Sequence, residues 1–296
     1  MTAPTDSAPD VPLGDLPPAT WVLLRKSPLQ VVVAEVRWAR TGPELTGEHG
    51  LELRDAAAEH GLHLARIDPV RQQQVHFEMR PEGPAAVVNA GVPGLKLSTS
   101  DGAISVTVMP DSLVVQCNAY SRWSESLAPQ VAAAVAAVTR VVQPRLFQRV
   151  GLRYVNRLVS PDAVIAQSWR DRIEPTFLGP LLNPELGVLV ASAQQQVELR
   201  LTDTAAAIIR HGPYRDAAVD NTFAYLLDID VFDTRSERFD PEAVSVLTRQ
   251  LNRTAASLFQ QIVPDQWRET MGPYTESAPD DQDNAQGQGD RQEEAE

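Results

Sequence analysis

Two aspartates, Asp228 and Asp230, have the spacing of a carboxylate metal site. They flank Ile229 in an apolar run, so in an extended strand both side chains project from one face. Such a pair could ligate Mg²⁺ or Mn²⁺, because hard cations prefer oxygen ligands. It could also pair with arginine, and we favour the arginine pairing. Asp228 and Asp230 are therefore candidate metal ligands for a metal that the sequence leaves unknown.

A stretch near the middle of the chain supplies cations that could match these carboxylates. In a strand, Arg149, Gly151 and Arg153 share one face, whereas Tyr154 and Asn156 share the other. A glycine at a strand centre is typical of a close approach by a backbone or by a large side chain. The alternative is a structural strand whose arginines sit in ion pairs. The candidate ligand-binding residues, drawn from this stretch and from neighbouring strands, are Arg37, Arg149, Arg153, Tyr154, Asn156 and Asn118.

Other signatures of catalysis are missing from the sequence. There is no Walker or dinucleotide-binding glycine loop, no Gly-x-Ser-x-Gly elbow and no His-Glu-x-x-His motif. His60 and His63 have the spacing of metal ligands but lack a nearby third ligand, and Cys117 alternates with apolar residues as a core cysteine does. We assign no catalytic residue and no cofactor, and we favour a protein that is not an enzyme.

Composition restricts the class of partner. The chain has 296 residues, 43% of them apolar, and a net charge of −13. Most of that charge lies near the two ends, which leaves the body close to neutral and gives little support to nucleic acid as a partner. One cysteine excludes an intrachain disulfide, and no run of residues is long and apolar enough for a membrane segment. We expect a cytoplasmic protein without a membrane anchor.

The two ends read as disordered tails. Residues 1–17 are rich in proline and aspartate, and residues 276–296 carry eight acidic residues and one arginine, so neither has the apolar content to offset chain entropy. The sequence predicts a single α+β domain over residues 18–275. Two related halves, at about 18–143 and 144–275, are an alternative description of that domain.

The first half predicts strands followed by a helix. The β-branched run Leu29–Trp38 is typical of a buried strand, and residues 45–61 predict a helix with Leu51, Ala58 and Leu62 inward. Short strands over residues 73–79, 94–98, 103–109 and 113–120 predict an antiparallel meander. A long helix with Ser121 as N-cap then runs to Pro144.

The second half repeats this order. After the central strand come a helical stretch over residues 161–172, strands over 194–202, 205–211 and 221–232, and a long helix capped by Asp240 with Pro241 in its first turn. The fold that we predict is α+β, a pseudo-duplicated antiparallel sheet with two long helices packed on one face. Gln116, Asn118, Tyr120, Asp228, Asp230 and Phe232 would then join Glu35 and the arginines on the other, polar face.

Several blocks carry a resemblance to a known family. Ser27 to Val32, Tyr120 to Trp123, Arg149 to Asn156 and Leu227 to Asp230 resemble an uncharacterised, sporadically distributed bacterial family with an R-x-G-L-R-Y-x-N block. The resemblance implies the fold and a cytoplasmic bacterial setting. It implies no catalytic residues, because the family has no assigned activity. The long acidic C-terminal tail departs from the family pattern.

Taken together, these observations predict a non-enzymatic binding or interaction module. Its partner would be a protein or a small anionic ligand, and a homo-oligomer stays open. The sporadic distribution of the family suits an accessory component of a mobile or defence-type locus. The alternative is an enzyme with a site on the polar sheet face, dependent on a divalent metal held by Asp228 and Asp230.

Overall fold

The computed structural model describes residues 11–20, 23–40, 44–80, 83–216 and 222–274. The predicted acidic tail over residues 276–296 lies outside these ranges, as do residues 1–10. Among the described residues, no helix is both long enough and apolar enough to cross a membrane.

The described chain forms strands and helices that together confirm the α+β class. The strands are β1 (Leu23–Leu24), β2 (Leu29–Trp38), β3 (Arg66–Arg80), β4 (Gly83–Ser98), β5 (Ile104–Met109), β6 (Ser112–Cys117), β7 (Leu146–Leu158), β8 (Gln195–Arg200), β9 (Ala205–Arg215), β10 (Phe223–Asp233), β11 (Glu237–Arg238) and β12 (Pro273–Tyr274). The α-helices are α1 (Gly47–Ala58), α2 (Ala128–Val141), α3 (Pro241–Ile262) and α4 (Asp265–Thr270).

One large antiparallel sheet organises the molecule. Its strand order is β3-β4-β5-β6-β2-β7-β10-β9-β8, and β11 pairs with the start of β7. Strands β2 and β7 lie side by side near the middle, with Val32 opposite Tyr154 and Glu35 opposite Gly151. On β2, Val32, Ala34 and Val36 are buried, because an alternating apolar pattern turns one face of a strand toward the core.

The helices cover the sheet in two places. α2 contacts β5 and β6, and α3 contacts β7 and β10. The predicted start of α3 is confirmed: the Asp240 side chain accepts a hydrogen bond from the Ala243 N–H at 3.3 Å, and Pro241 occupies the first turn. The N-cap prediction for α2 is wrong, because Trp123–Leu127 forms a π-helical turn before α2 begins. Pro129 lacks the N–H that a continuous α-helix would donate to Glu125.

Other predicted elements also need correction. The stretch 161–172 contains a short 3₁₀ helix, Ala166–Asp171, rather than an α-helix. Leu51 is exposed, and α1 instead turns Leu53 and Ala57 inward. The hairpin of β3 and β4 is longer than expected, since mutual backbone pairing overrides the glycine and proline residues that suggested breaks.

The N-terminal tail predicted over residues 1–17 is wrong for residues 11–17. Leu13 is buried, and its N–H donates to Thr254 Oγ1 on α3 at 2.9 Å. The Ser257 hydroxyl of the same helix donates to the Pro17 carbonyl at 2.7 Å. Composition suggested a tail because this segment is rich in proline, but proline also suits an extended segment that lies along a helix.

Strand β9 contains a fully buried histidine, His211. His211 Nδ1 lies 2.8 Å from the Tyr225 hydroxyl, and the ring packs edge-on against Phe177 with centroids 5.3 Å apart. Its Nε2 atom has no hydrogen-bond partner within the described residues. Burial lowers the pKa of His211 below its ordinary value of 6.5.

We expect the stability of the protein to fall below about pH 6.5 because of His211. The native state binds the proton less readily than the unfolded chain does, so stability is present above the unfolded pKa and is lost as the pH falls toward the folded one. Urea denaturation between pH 7.5 and 5 would measure the free energy of unfolding of wild type and of His211→Gln. The free energy lost on acidification should be smaller in the variant. His63→Gln, at an exposed histidine, is the control. An equal loss of stability on acidification in wild type and His211→Gln would contradict the role of His211.

Candidate functional site: a charged sheet face and a cavity beneath helix α3

The central strands divide the predicted site residues between two faces. Glu35 lies opposite Gly151, and Gly151 opposite Phe232, which forms one row across β2, β7 and β10. Tyr154 lies opposite Ile229 in a row on the other face. The structure therefore separates the predicted residues: Arg37, Arg149 and Arg153 belong to the charged face, and Tyr154 and Asn156 belong to the face toward α3.

Asp228 is the most deeply buried carboxylate of the charged face. It is 2% exposed and accepts hydrogen bonds from Arg153 Nε and Nη2 at 2.8 and 2.7 Å, one to each carboxylate oxygen. Arg210 Nη1 lies 3.4 Å from the same carboxylate. The arginine pairing predicted for Asp228 is confirmed, and both oxygens that a metal would need already accept from guanidinium groups. Among the described residues, no three His, Cys, Asp or Glu side chains cluster as a metal site would require.

Arg149 links the remaining charges of this face. It pairs with Glu35 and lies 3.5 Å from Asp230, and its guanidinium stacks over the Phe232 ring, 4.6 Å from the centroid. Arg37 pairs with Glu35 at 2.8 Å. Burial raises the pKa of Asp230, and the neighbouring Arg149 opposes that rise. Each of the three predicted arginines thus already has a carboxylate partner within the protein, which weakens the expectation of an anionic ligand on this face.

Gly151 provides the space in which the Arg149 side chain lies. A Cβ atom added at Gly151 would stand 2.7 Å from Arg149 Nη1. Gly151→Val should therefore displace the guanidinium from Glu35 and cost about 1 kcal/mol of unfolding free energy, measured by urea denaturation, because the group that must move is the end of a flexible side chain. Gly47→Val is the control, since a Cβ at Gly47 meets no atom within 4 Å. A Gly151→Val variant as stable as wild type would mean that Arg149 moves aside freely.

Asn118 keeps its predicted place beside Gln116 at the end of strand β6, whereas Tyr120 does not join the charged face. Asn118 accepts from Gln116 Nε2 at 2.9 Å and donates to the Gly102 carbonyl at 3.3 Å, so it closes a turn. Strand β6 ends at Cys117, and the alternation of faces that placed Tyr120 beside Gln116 ends there too. Tyr120 instead packs edge-on against Tyr154, with ring centroids 6.1 Å apart.

A cavity of about 430 Å³ lies between the sheet and helix α3. This volume falls within the usual range of small-molecule sites. Its walls are mainly apolar, with several neutral polar side chains among them. The lining includes Leu24, Pro28, Leu29, Tyr120, Tyr154, Asn156, Ile229, Asn252, Ala255, Ala256, Phe259, Gln260 and Arg268.

The deep end of the cavity carries neutral hydrogen-bonding groups. The Tyr154 hydroxyl donates to Asn252 Oδ1 at 2.6 Å, and Asn156 Nδ2 donates to the Leu227 carbonyl at 3.1 Å. Burial raises the pKa of Tyr120 to about 12 and that of Tyr154 well above its ordinary value, so both phenols are protonated at neutral pH.

The charged groups of the cavity lining, Asp265, Arg268 and Glu269, all belong to helix α4. Arg268 donates through Nε to the Val263 carbonyl at 3.1 Å and pairs with Asp265. Burial lowers the pKa of Arg268. Asp265 and Glu269 are exposed. The two carboxylates of the lining thus lie where water reaches them, whereas the Arg268 side chain is only 16% exposed.

Both ends of the described chain form the outer wall of the cavity. The Thr20 N–H donates to Gln260 Oε1 at 2.9 Å, and Gln260 Nε2 donates back to the Thr20 carbonyl at 2.6 Å. Strand β1 pairs with β12, and the Lys26 N–H donates to the Met271 carbonyl at 2.9 Å. The wall is therefore held by a two-stranded pairing and a few further hydrogen bonds, two of them from the Gln260 side chain, rather than by a wide sheet.

Sequence reasoning found part of this cavity and missed the rest. It assigned Tyr154 and Asn156 but not Asn252, Phe259 or the segment around Thr20. The available signal was Asn252, a polar residue beside Leu251 in the apolar stripe of the last helix, which is 5% exposed. No pattern within residues 20–29 predicts that they line the cavity, because their position depends on how the two ends of the chain pack together.

Comparisons with known proteins identify no family for this chain. No protein-family model matches it. No curated protein matches it either. The structure of S. pombe Pct1 RNA triphosphatase aligns over 83% of this chain and 81% of that chain, with 8% identity and a TM-score of 0.11. A TM-score this low supports no argument about fold or function, and the family resemblance based on the R-x-G-L-R-Y-x-N block stays a prediction.

Proposed function

We propose that this protein is a binding module that holds a small molecule in the cavity beneath α3. The observation that carries the proposal is the cavity itself: about 430 Å³, apolar in most of its lining, with neutral polar side chains at its deep end. Such a combination is typical of sites in which apolar contacts provide affinity and a few polar groups fix orientation. A bacterial cytoplasmic setting, in an accessory locus, is part of the same proposal.

We also propose that the fold is a pseudo-duplication, with α2 and α3 on the same face of the sheet. The strand order supports it: the first strand of each half, β2 or β7, pairs with the last strand of its meander, β6 or β10. A helix follows that last strand in each half. In this arrangement both halves line the cavity, with Leu29 and Tyr120 from the first and Tyr154 and Phe259 from the second.

The binding proposal can be tested by filling the cavity. Ala256 lines it from α3 and is only half-buried, so Ala256→Phe should occupy the space without disrupting the core. The compounds to be tested are benzene, indole and naphthalene derivatives with neutral, anionic or cationic groups. We expect some of them to bind the wild-type protein. The variant should bind them at least about tenfold more weakly, a loss of about 1.4 kcal/mol, in isothermal titration calorimetry.

The matched control is Gln261→Phe, at an exposed position on the same helix. It adds the same ring outside the cavity and should bind as the wild type does. If no compound binds, or if Ala256→Phe binds as well as the wild type, the cavity is not a binding site.

An enzyme site on the charged face is the alternative function. A smaller hollow of about 300 Å³ lies beside that face, with Glu35, Arg37, Arg71 and Asp111 in its lining. It has less support, because Glu35 and Arg37 are paired with each other and Glu35 also pairs with Arg149.

A further inference from the structure

The deepest polar groups of the cavity offer one donor and one acceptor, both uncharged. Asn252 uses its oxygen for the Tyr154 hydroxyl, and among the described residues none accepts a hydrogen bond from its amide nitrogen. Asn156 uses its amide nitrogen for the Leu227 carbonyl, and none of those residues donates to its oxygen. Both side chains are 5% exposed and line the cavity. Because both residues line the cavity, a ligand group that accepts from Asn252 and donates to Asn156 would gain two hydrogen bonds.

Charge at the deep end is disfavoured by the same geometry. The cation of the lining, Arg268, is committed to Asp265 and to the Val263 carbonyl. The carboxylates of the lining, Asp265 and Glu269, are exposed at the rim. An ionised ligand group beside Asn156 and Asn252 would lose hydration without gaining a counter-charge, so it would bind less favourably there than a neutral group.

The apolar walls favour a flat ring. Tyr120 and Tyr154 stand perpendicular to each other, with an interplanar angle of 88°, and Phe259 and Ile229 line the same space. Aromatic side chains arranged in this way can offer both a face and an edge to an aromatic ligand.

We propose that the cavity selects an aromatic molecule whose buried end is a neutral group that both donates and accepts a hydrogen bond, as a primary amide or a lactam does. This inference rests on the proposed binding function and specifies its ligand class. Asn252 donates to the carbonyl oxygen of that group, and Asn156 accepts from its N–H. Any charged substituent of the ligand lies at the rim, near Arg268 and Glu269.

Three naphthalene probes of matched size test the proposal. Isothermal titration calorimetry at pH 7 would compare 2-naphthamide, 2-naphthoate and 2-naphthylmethylamine on wild-type protein. We expect the amide to bind with one-to-one stoichiometry, and at least about tenfold tighter than either charged probe. Asn252→Leu should reduce that preference for the amide. If this variant fails to fold, the affinities of the three probes for the wild-type protein still test the proposal.

The outcomes separate this inference from the binding function on which it rests. If either charged probe binds as tightly as the amide, and Ala256→Phe abolishes that binding, the neutral-ligand inference fails while the cavity remains a binding site. If none of the three probes binds but other aromatic compounds do, the inference also fails alone. If no compound binds in a manner sensitive to Ala256→Phe, both proposals fail.

Discussion

Asp228→Ala is expected to lower the free energy of unfolding by about 2 to 4 kcal/mol. The carboxylate is 2% exposed and receives two hydrogen bonds from Arg153, with Arg210 close by. Its removal leaves two guanidinium groups without their partner. The side chains of Arg153 and Arg210 are 48% and 30% exposed, so they can turn partly toward water, which keeps the loss below that of a fully buried pair. Urea denaturation would measure it.

Asp171→Ala is the matched control for this change. Asp171 also lies near an arginine, at 3.6 Å from Arg170, but its side chain is 79% exposed, so its removal should change stability by less than about 0.5 kcal/mol. Adding Mg²⁺ or Mn²⁺ provides a second measurement, because a carboxylate held by arginines should give no metal-dependent rise in melting temperature. A rise that Asp228→Ala abolishes would instead support the metal-dependent enzyme.

Removing residues 1–17 is expected to destabilise the protein by about 3 to 5 kcal/mol. The loss combines the burial of Leu13, worth about 2 kcal/mol, with two hydrogen bonds to α3 of about 1 kcal/mol each. Composition alone predicted that this truncation would be harmless. Thermal and urea unfolding of the truncated chain would decide between the two expectations.

A shorter truncation isolates the segment responsible. Removing residues 1–10 should leave the melting temperature within a few degrees of wild type, since their composition provides little apolar surface to bury. Removing residues 276–296 should have equally little effect. If the truncation at residue 17 is as stable as the truncation at residue 10, the contacts of Leu13 and Pro17 contribute nothing to stability.

The fold was predictable wherever a periodic pattern decided the structure. The β-branched run Leu29–Trp38 identified β2 with its observed bounds, and the Asp-Pro start and apolar stripe identified α3. Prediction failed where contacts between residues far apart in the sequence determine the structure. The long hairpin of β3 and β4 and the 3₁₀ turns after β7 depend on backbone pairing and packing that no local pattern announces.

The same contrast explains what could be predicted of the site. Period-two counting placed Asp228 and Arg153 on one face, and their ion pair followed from charge. It also placed Tyr154 and Asn156 on the opposite face, yet nothing in the strand indicated that α3 leaves a cavity above them. That cavity exists because Ala255 and Ala256 are small where the helix crosses β7 and β10, and because the chain ends close the wall.

A crystal structure of the protein with 2-naphthamide tests the central claim most directly. We expect density for one ring system between Tyr154 and Phe259, with the amide beside Asn156 and Asn252 and no density for the probe in crystals of Ala256→Phe. A wild-type cavity that stays empty at saturating 2-naphthamide would contradict the proposed ligand class, and density for the probe on the charged face around Arg37 instead would contradict the cavity as the binding site.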